Sequence, residues 1–141
     1  MPITKGYKQL VAEAHAKIRT LSLEESKIKH DDPNVVFVDI RDVRELEREG
    51  MIPGALHAPR GMLEFWVDPA SPYHKPIFAD ESKEFILFCG AGGRSALAAK
   101  ALQDMGMTNV AHIDGGWADW VKQGAPTETL EQQKARRKPK A

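Results

Sequence analysis

Phe85-Ile86-Leu87-Phe88-Cys89-Gly90-Ala91-Gly92-Gly93-Arg94-Ser95-Ala96-Leu97-Ala98 passes from four large apolar residues, through one cysteine and a glycine-rich link, into a run with helical periodicity. A short, unbroken apolar run such as Phe85 to Phe88 suits a strand covered on both faces, as in a parallel sheet. Downstream, Leu97, Ala98, Ala101, Leu102 and Met105 recur at the spacing of one helix face, and Gly106 closes the helix. Between the two, Gly90, Gly92 and Gly93 let the backbone curl through positive φ values. Strand, tight turn, helix is the repeating unit of an α/β fold.

The same alternation extends to either side. Upstream, the turn signal Asp31-Asp32-Pro33-Asn34 precedes Val35-Val36-Phe37-Val38, a second buried strand. Asp42 to Arg48 is charged and helix-forming, with Gly50 to end it. Ala55 to Ala58 forms a short strand after the turn Ile52-Pro53-Gly54. Residues 59–80 hold Pro59, Pro69, Pro72 and Pro76 and read as a long loop around one short helix, Met62 to Trp66. Its aromatic residues Phe65, Trp66 and Tyr73 either line a pocket mouth or pin the loop down. Val110 to Ile113 is a further strand, and Gly115-Gly116 turns the chain into a helix from Trp117 to Val121. Near the start, Leu10, Val11, Ala14 and Ile18 share a helical face, and Ser22 caps a second helix beginning at Leu23. The pattern predicts one α/β domain, a central parallel sheet with helices on both faces. Residues 1–20 form an N-terminal helical extension, 21–127 the domain, and 128–141 a polar and basic tail expected to be disordered.

Composition narrows the function. The chain has 141 residues, 42% of them hydrophobic, which suits one domain with an ordinary core. Twenty basic and twenty acidic residues cancel, so no global field steers the chain to nucleic acid. Apolar runs fall far short of the roughly 20 residues that span a bilayer. Lys5, Lys8, Glu13 and Lys17 interrupt any signal-peptide core. A cytoplasmic protein without nucleic-acid or membrane partners, monomeric or weakly self-associating, is expected. Cys89 is the one cysteine, so the chain can form no internal disulfide and no zinc site built from two or more of its own cysteines.

A lone intracellular cysteine is usually a small buried hydrophobe. Cys89 has surroundings that point elsewhere. In a parallel α/β sheet, ligands bind beyond the carboxyl ends of the strands, and Cys89 stands at such an end. A curled glycine loop aims several N–H groups inward as an anion nest. The helix starting near Arg94 adds free N–H groups and the positive end of its dipole. Arg94 and Ser95 add side-chain donors. Such a cup favours a thiolate; cysteine pKa values fall from about 8.5 to roughly 3.5–7.5 in settings of this kind. The same donors would hold the terminal sulfur of a persulfide. Gly90-Ala91-Gly92-Gly93 matches neither the dinucleotide-binding nor the Walker spacing. Cysteine phosphatases use a similar Cys-x5-Arg loop; here Arg94 arrives one residue sooner, which suits a smaller group.

Four motifs in order resemble the rhodanese family, over about Leu21 to Pro126. Cys89 to Arg94 followed by Ser95 is similar to its active loop. Val38-Asp39-Ile40-Arg41 resembles its strand-ending D-x-R. Gly50-Met51-Ile52-Pro53-Gly54-Ala55 resembles its G-H-I-P-G-A signature, with Met51 in place of His. Gly115-Gly116-Trp117, then Trp120, Gly124 and Pro126, resembles its closing motif. The resemblance implies a sheet of about five parallel strands flanked by helices on both faces. It also implies a sulfurtransferase acting in two steps. A donor such as thiosulfate, mercaptopyruvate or polysulfide loads Cys89 as a persulfide, and an acceptor then takes the outer sulfur. Since the chain has no second cysteine, the acceptor must be external: cyanide, a small thiol or a partner protein's thiol. The rival readings are a regulatory binding module or sulfur carrier of the same fold, and a phosphatase or arsenate reductase.

The expected site follows. Cys89 is the nucleophile, with Gly90, Ala91, Gly92, Gly93, Arg94, Ser95 and Arg60 as substrate-binding candidates. Arg60 follows a short strand and could reach an anionic donor. Asp39 either orients the loop or an arginine, or caps the helix from Asp42. Arg41 is expected to pair with Glu45 or Glu49. Persulfide transfer by a thiolate needs no dedicated base. His57 is read as a structural histidine, and His74 and His112 match no metal-ligand spacing, so no metal or cofactor is expected. Trp117 and Trp120 are expected in the packing.

Overall fold

A computed structural model describes residues 2–137. Five strands, β1 (Thr20–Leu21), β2 (Val35–Asp39), β3 (Leu56–His57), β4 (Glu84–Phe88) and β5 (Val110–Ile113), form one sheet in the order β1-β5-β4-β2-β3. Every pairing is parallel. The helices are α1 (Tyr7–His15), α2 (Leu23–Lys29), α3 (Val43–Glu49), α4 (Leu63–Val67), α5 (Gly93–Asp104), α6 (Gly116–Lys122) and α7 (Leu130–Arg137). The expected parallel α/β sheet is thus present. None of the helices among the described residues is long and apolar enough to cross a membrane.

The period of two along a strand divides the core. Phe85, Leu87 and Cys89 face one side with Val38, Leu63, Ala98, Ala99 and Leu102, under α4 and α5. Ile86 and Phe88 face the other with Phe37, Leu46, Trp117, Trp120 and Leu130, under α3, α6 and α7. This two-sided burial is why β2 and β4 read as continuous apolar runs.

Local signals set the helix boundaries. Ser22 and Glu25 form a capping box at α2, and Asp42 and Glu45 form another at α3. Gly50 ends α3 with φ 88°. The proline-rich stretch holds α4 between two 3-10 turns, Arg60–Met62 and Pro76–Ala79. Trp66 anchors it: its carbonyl accepts from the Lys75 N–H at 2.9 Å, and the Lys75 ammonium lies over its ring. Phe65 and Tyr73 stay exposed, edge to face.

The tail departs from expectation. Residues 130–137 form α7 rather than a disordered end. Thr129 and Gln132 cap it reciprocally, Leu130 and Gln133 are buried, and the Gln133 amide donates to the Ala55 carbonyl at 2.7 Å. A Met51–Glu128 bridge and the Arg136–Glu128 ion pair fasten the same segment. The last part of the basic run, residues 138–141, lies outside the described residues.

Candidate active site

The chain leaves β2 toward β3 on one side and leaves β4 toward β5 on the other. The crevice beyond the carboxyl ends of adjacent β2 and β4 is therefore the switch point where such sheets bind ligands. Cys89 is the first residue after β4, at 1% exposure.

Two backbone donors converge on its sulfur. The Gly92 N–H lies 3.1 Å from Sγ and the Ser95 N–H 3.4 Å. The Ser95 hydroxyl is 3.6 Å from Sγ. Of the loop glycines only Gly92 has positive φ, at 107°, as the N-cap of α5. The curl expected of three glycines is thus concentrated in one, and α5 starts at Gly93, one residue earlier than Arg94. At Gly90 a Cβ would lie 3.1 Å from an Arg94 nitrogen, a tight contact with the flexible end of that side chain. Ala91 is exposed at the tip.

The loop is held from behind by the start of α6. The Trp117 N–H donates to the Cys89 carbonyl at 2.8 Å and the Ala118 N–H to the Gly90 carbonyl at 2.9 Å. This approach is so close that a Cβ on Gly116 would sit 2.3 Å from the Cys89 oxygen. Trp117 in turn lies under the Arg41 guanidinium, 4.7 Å from ring centre to carbon.

The two predicted supporting residues hold each other. Asp39 and Arg41 are both fully buried and paired with each other through bonds of 3.0 and 2.8 Å. Arg41 also donates to the Gly50 carbonyl at 2.8 Å. Of the two partners expected for Arg41, Glu49 forms an outer ion pair at 4.0 Å, and Glu45 is taken by Arg94. The helix cap considered for Asp39 belongs to Asp42. His57 serves the scaffold, its Nε2 2.7 Å from the Arg41 carbonyl.

The cations expected to meet substrate already have partners. Arg94 makes two bonds to the Glu45 carboxylate, at 2.7 and 3.1 Å. That pairing holds the Glu45 carboxyl below the usual carboxylate range and raises the Arg94 guanidinium further. Arg60 pairs with Glu64 at 2.6 Å, one helical turn on, and is not among the groups bonded to Cys89.

Two residues near Cys89, Glu45 and His112, have places at the site that the sequence did not reveal. Glu45 lies 49 positions from its partner Arg94, a separation that no local motif reveals. His112 is fully buried on β5, with Nδ1 2.9 Å from the Ser95 hydroxyl. Burial, reinforced by the neighbouring His15, pulls its pKa down to about 4, so the ring is neutral near pH 7. The signal available was a polar residue between Ala111 and Ile113 in an otherwise apolar strand. Among the described residues no three His, Cys, Asp or Glu side chains are placed to hold a metal ion. A separate cleft of about 820 Å³, bounded by Val67, Phe78, Met105 and Asn109, includes none of the Cys89 loop.

Similar proteins carry the same fold. A solved structure from Rhodopseudomonas palustris, of unknown function and described as a possible tyrosine phosphatase, is 52% identical. It superposes with a TM-score of 0.87, covering 91% of this chain and 98% of that one. The thiosulfate:glutathione sulfurtransferase of Saccharomyces cerevisiae is 33% identical over 116 residues, 77% of this chain and 82% of that protein. YrkF of Bacillus subtilis is 30% identical over 111 residues, which is 78% of this chain but only 55% of YrkF. The Rhodanese-like domain model matches residues 22–123. The chain therefore belongs to the rhodanese-like domain family, which includes sulfurtransferases.

Proposed function

We propose that this chain is a sulfurtransferase that carries sulfane sulfur on Cys89. The observation that carries the reading is the pair of backbone N–H groups, from Gly92 and Ser95, aimed at Sγ from the loop and first turn of α5. In the first step the Cys89 thiolate attacks the outer sulfur of a thiosulfate, mercaptopyruvate or polysulfide donor. A Cys89 S–S bond forms, the donor's bond to that sulfur breaks, and its electron pair leaves with the donor remnant. The persulfide's outer sulfur is then within reach of the same donors. In the second step a thiolate or cyanide attacks that outer sulfur, and Cys89 departs as thiolate. The chain's one cysteine requires the acceptor to be another molecule.

The phosphatase reading asks for a free cation over the loop to hold a phosphoryl dianion. Arg94 is instead shared between the Glu45 carboxylate and the Cys89 sulfur, and the Cys-x4-Arg span is one residue shorter than the phosphatase loop. A panel of donors read by intact-protein mass spectrometry tests the proposal. Incubation should add one sulfur atom to the parent protein and none to Cys89→Ser. Cyanide or glutathione should then remove it. No adduct from any donor, or Cys89-dependent hydrolysis of an aryl phosphate, would overturn the reading. Loading followed by very slow discharge to small acceptors would make a protein thiol the acceptor.

A further inference from the structure

Ser95 has one hydroxyl proton and three neighbours able to use it. They are the Cys89 sulfur at 3.6 Å, the Gly92 carbonyl at 3.2 Å and His112 Nδ1 at 2.9 Å. His112 is fully buried, and its Nε2 has no hydrogen-bond partner among the described residues. Three titratable groups surround this unit: His15 at the end of α1, Asp114 just past β5, and Cys89 itself. The exposed His15 ring lies beside His112, 5.0 Å between ring centres. A neutral imidazole carries its proton on one nitrogen only, so its tautomer dictates the role of whatever bonds to the other.

We propose that Ser95 and His112 form a relay behind Cys89, in which the tautomer of neutral His112 sets whether the Ser95 hydroxyl accepts from the sulfur or donates to it. With the proton on Nε2, Ser95 donates to Nδ1 and its oxygen receives the Cys89 S–H. With the proton on Nδ1, His112 donates to Ser95, which turns its own proton to the thiolate. Passing from the first state to the second moves the S–H proton to Ser95 Oγ and the Ser95 proton to Nδ1. The Nε2 proton leaves to solvent, which requires the exposed His15 ring to swing aside because Nε2 is sealed and unpartnered, and the electron pair stays on sulfur. One proton is released in all, from the side of the cysteine away from the loop. Ser95 touches the reacting sulfur; His112 is a positioning residue acting through it. The relay rests on Cys89 working as the thiolate described above.

The test is the pH profile of Cys89 alkylation by iodoacetamide, read by intact mass. Alkylation needs no sulfur donor, so failure of the relay and failure of sulfur loading are read separately. Ser95→Ala and His112→Leu should each move the midpoint up by roughly one pH unit, the low end for a hydrogen bond to a charged group. The double variant should move it no further. His112→Asn, which keeps an amide able to donate or accept near the Nδ1 position, should recover most of the shift. In the unaltered protein, the ring ¹⁵N shifts of His112 should pass from the Nε2–H to the Nδ1–H pattern as Cys89 ionises, and Cys89→Ala should abolish that change. A folded His112→Leu with an unmoved profile would overturn the relay. So would a single His112 tautomer throughout the Cys89 titration, which settles the matter even where the variants fold poorly.

Discussion

Replacing Gly116 by Ala should disable the Cys89 loop from behind. Gly116 has φ 54°, and an added Cβ would meet the Cys89 oxygen at 2.3 Å, its carbonyl carbon at 3.1 Å and the Gly90 oxygen at 3.2 Å. All three atoms are backbone, so no side chain can swing away. The loop must retreat by about 1 Å to reach ordinary contact, and a displacement of that size can cost on the order of a hundredfold in rate. The retreat also stretches the Trp117 and Ala118 N–H bonds to the loop, each worth about 1 kcal/mol. The left-handed backbone adds about 1 kcal/mol for a residue with a Cβ. The sum is a loss of about 3 kcal/mol in stability. Gly124→Ala is the control, since Gly124 has φ 73° at the other end of α6 and open space around it. It should lose only the backbone part, about 1 kcal/mol, and load sulfur at the parent rate. Urea unfolding and the rate of persulfide formation by mass spectrometry read both quantities. A Gly116→Ala protein that loads within twofold of the parent and unfolds like Gly124→Ala would refute the argument.

Glu45→Gln keeps the capping contact to the Asp42 N–H but releases Arg94 from its ion pair. The freed guanidinium should raise kcat/KM for dianionic thiosulfate by roughly two- to fivefold, matching the 0.5–1 kcal/mol expected of a partly exposed pair, and the gain should shrink as salt is added. An unchanged thiosulfate constant would mean that Glu45 does not temper the charge at the loop. His112 should make the fold acid-sensitive, because its native pKa is lowered from 6.5 to about 4. Above pH 6.5 it is neutral in both states and contributes nothing to the pH dependence. As pH falls toward 4, the unfolded chain binds a proton that the native ring refuses, so stability drops by up to about 3 kcal/mol. Urea unfolding at pH 7 and 4.5 should show a smaller drop in His112→Asn than in the parent; equal losses would count against a buried neutral ring.

What could be read from the chain alone followed from burial. Strands β2, β4 and β5 are apolar on both faces because helices cover both, and that composition announces itself. Strands β1 and β3 are two residues each, defined by their neighbours rather than by any pattern of their own. Helix α7 was read as disorder because its composition is polar. Its docking depends on Leu130, on one buried amide from Gln133 and on a cap from Thr129, which leave the segment polar in overall composition. The Cys89 loop was legible since strand, cysteine, glycines and helix are contiguous. Its partners Glu45 and His112 were not, because the sheet brings them in from other strands and connections.

The pairing of the arginines bears on what the cup can hold. Arg41 is matched by Asp39, Arg94 by Glu45 and Arg60 by Glu64. The attraction for negative charge at Cys89 therefore comes from the Gly92 and Ser95 N–H groups and the start of α5, with a further share from Arg94, whose guanidinium interacts with the Cys89 sulfur as well as with Glu45. A net charge acts over roughly a Debye length, about 8–10 Å, and recruits any anion in that range. Backbone dipoles fade within the first helical turn. They stabilise the sulfur they touch and the atom bonded to it, and do little for a group farther out. That reach is one sulfur atom beyond Sγ, the span of the persulfide proposed for Cys89, and it is short for a free dianion approaching from solvent. The buried Asp39–Arg41 pair has its part in the same geometry: it seats Trp117, whose N–H holds the Cys89 carbonyl and so keeps the loop at the distance these short-range donors require.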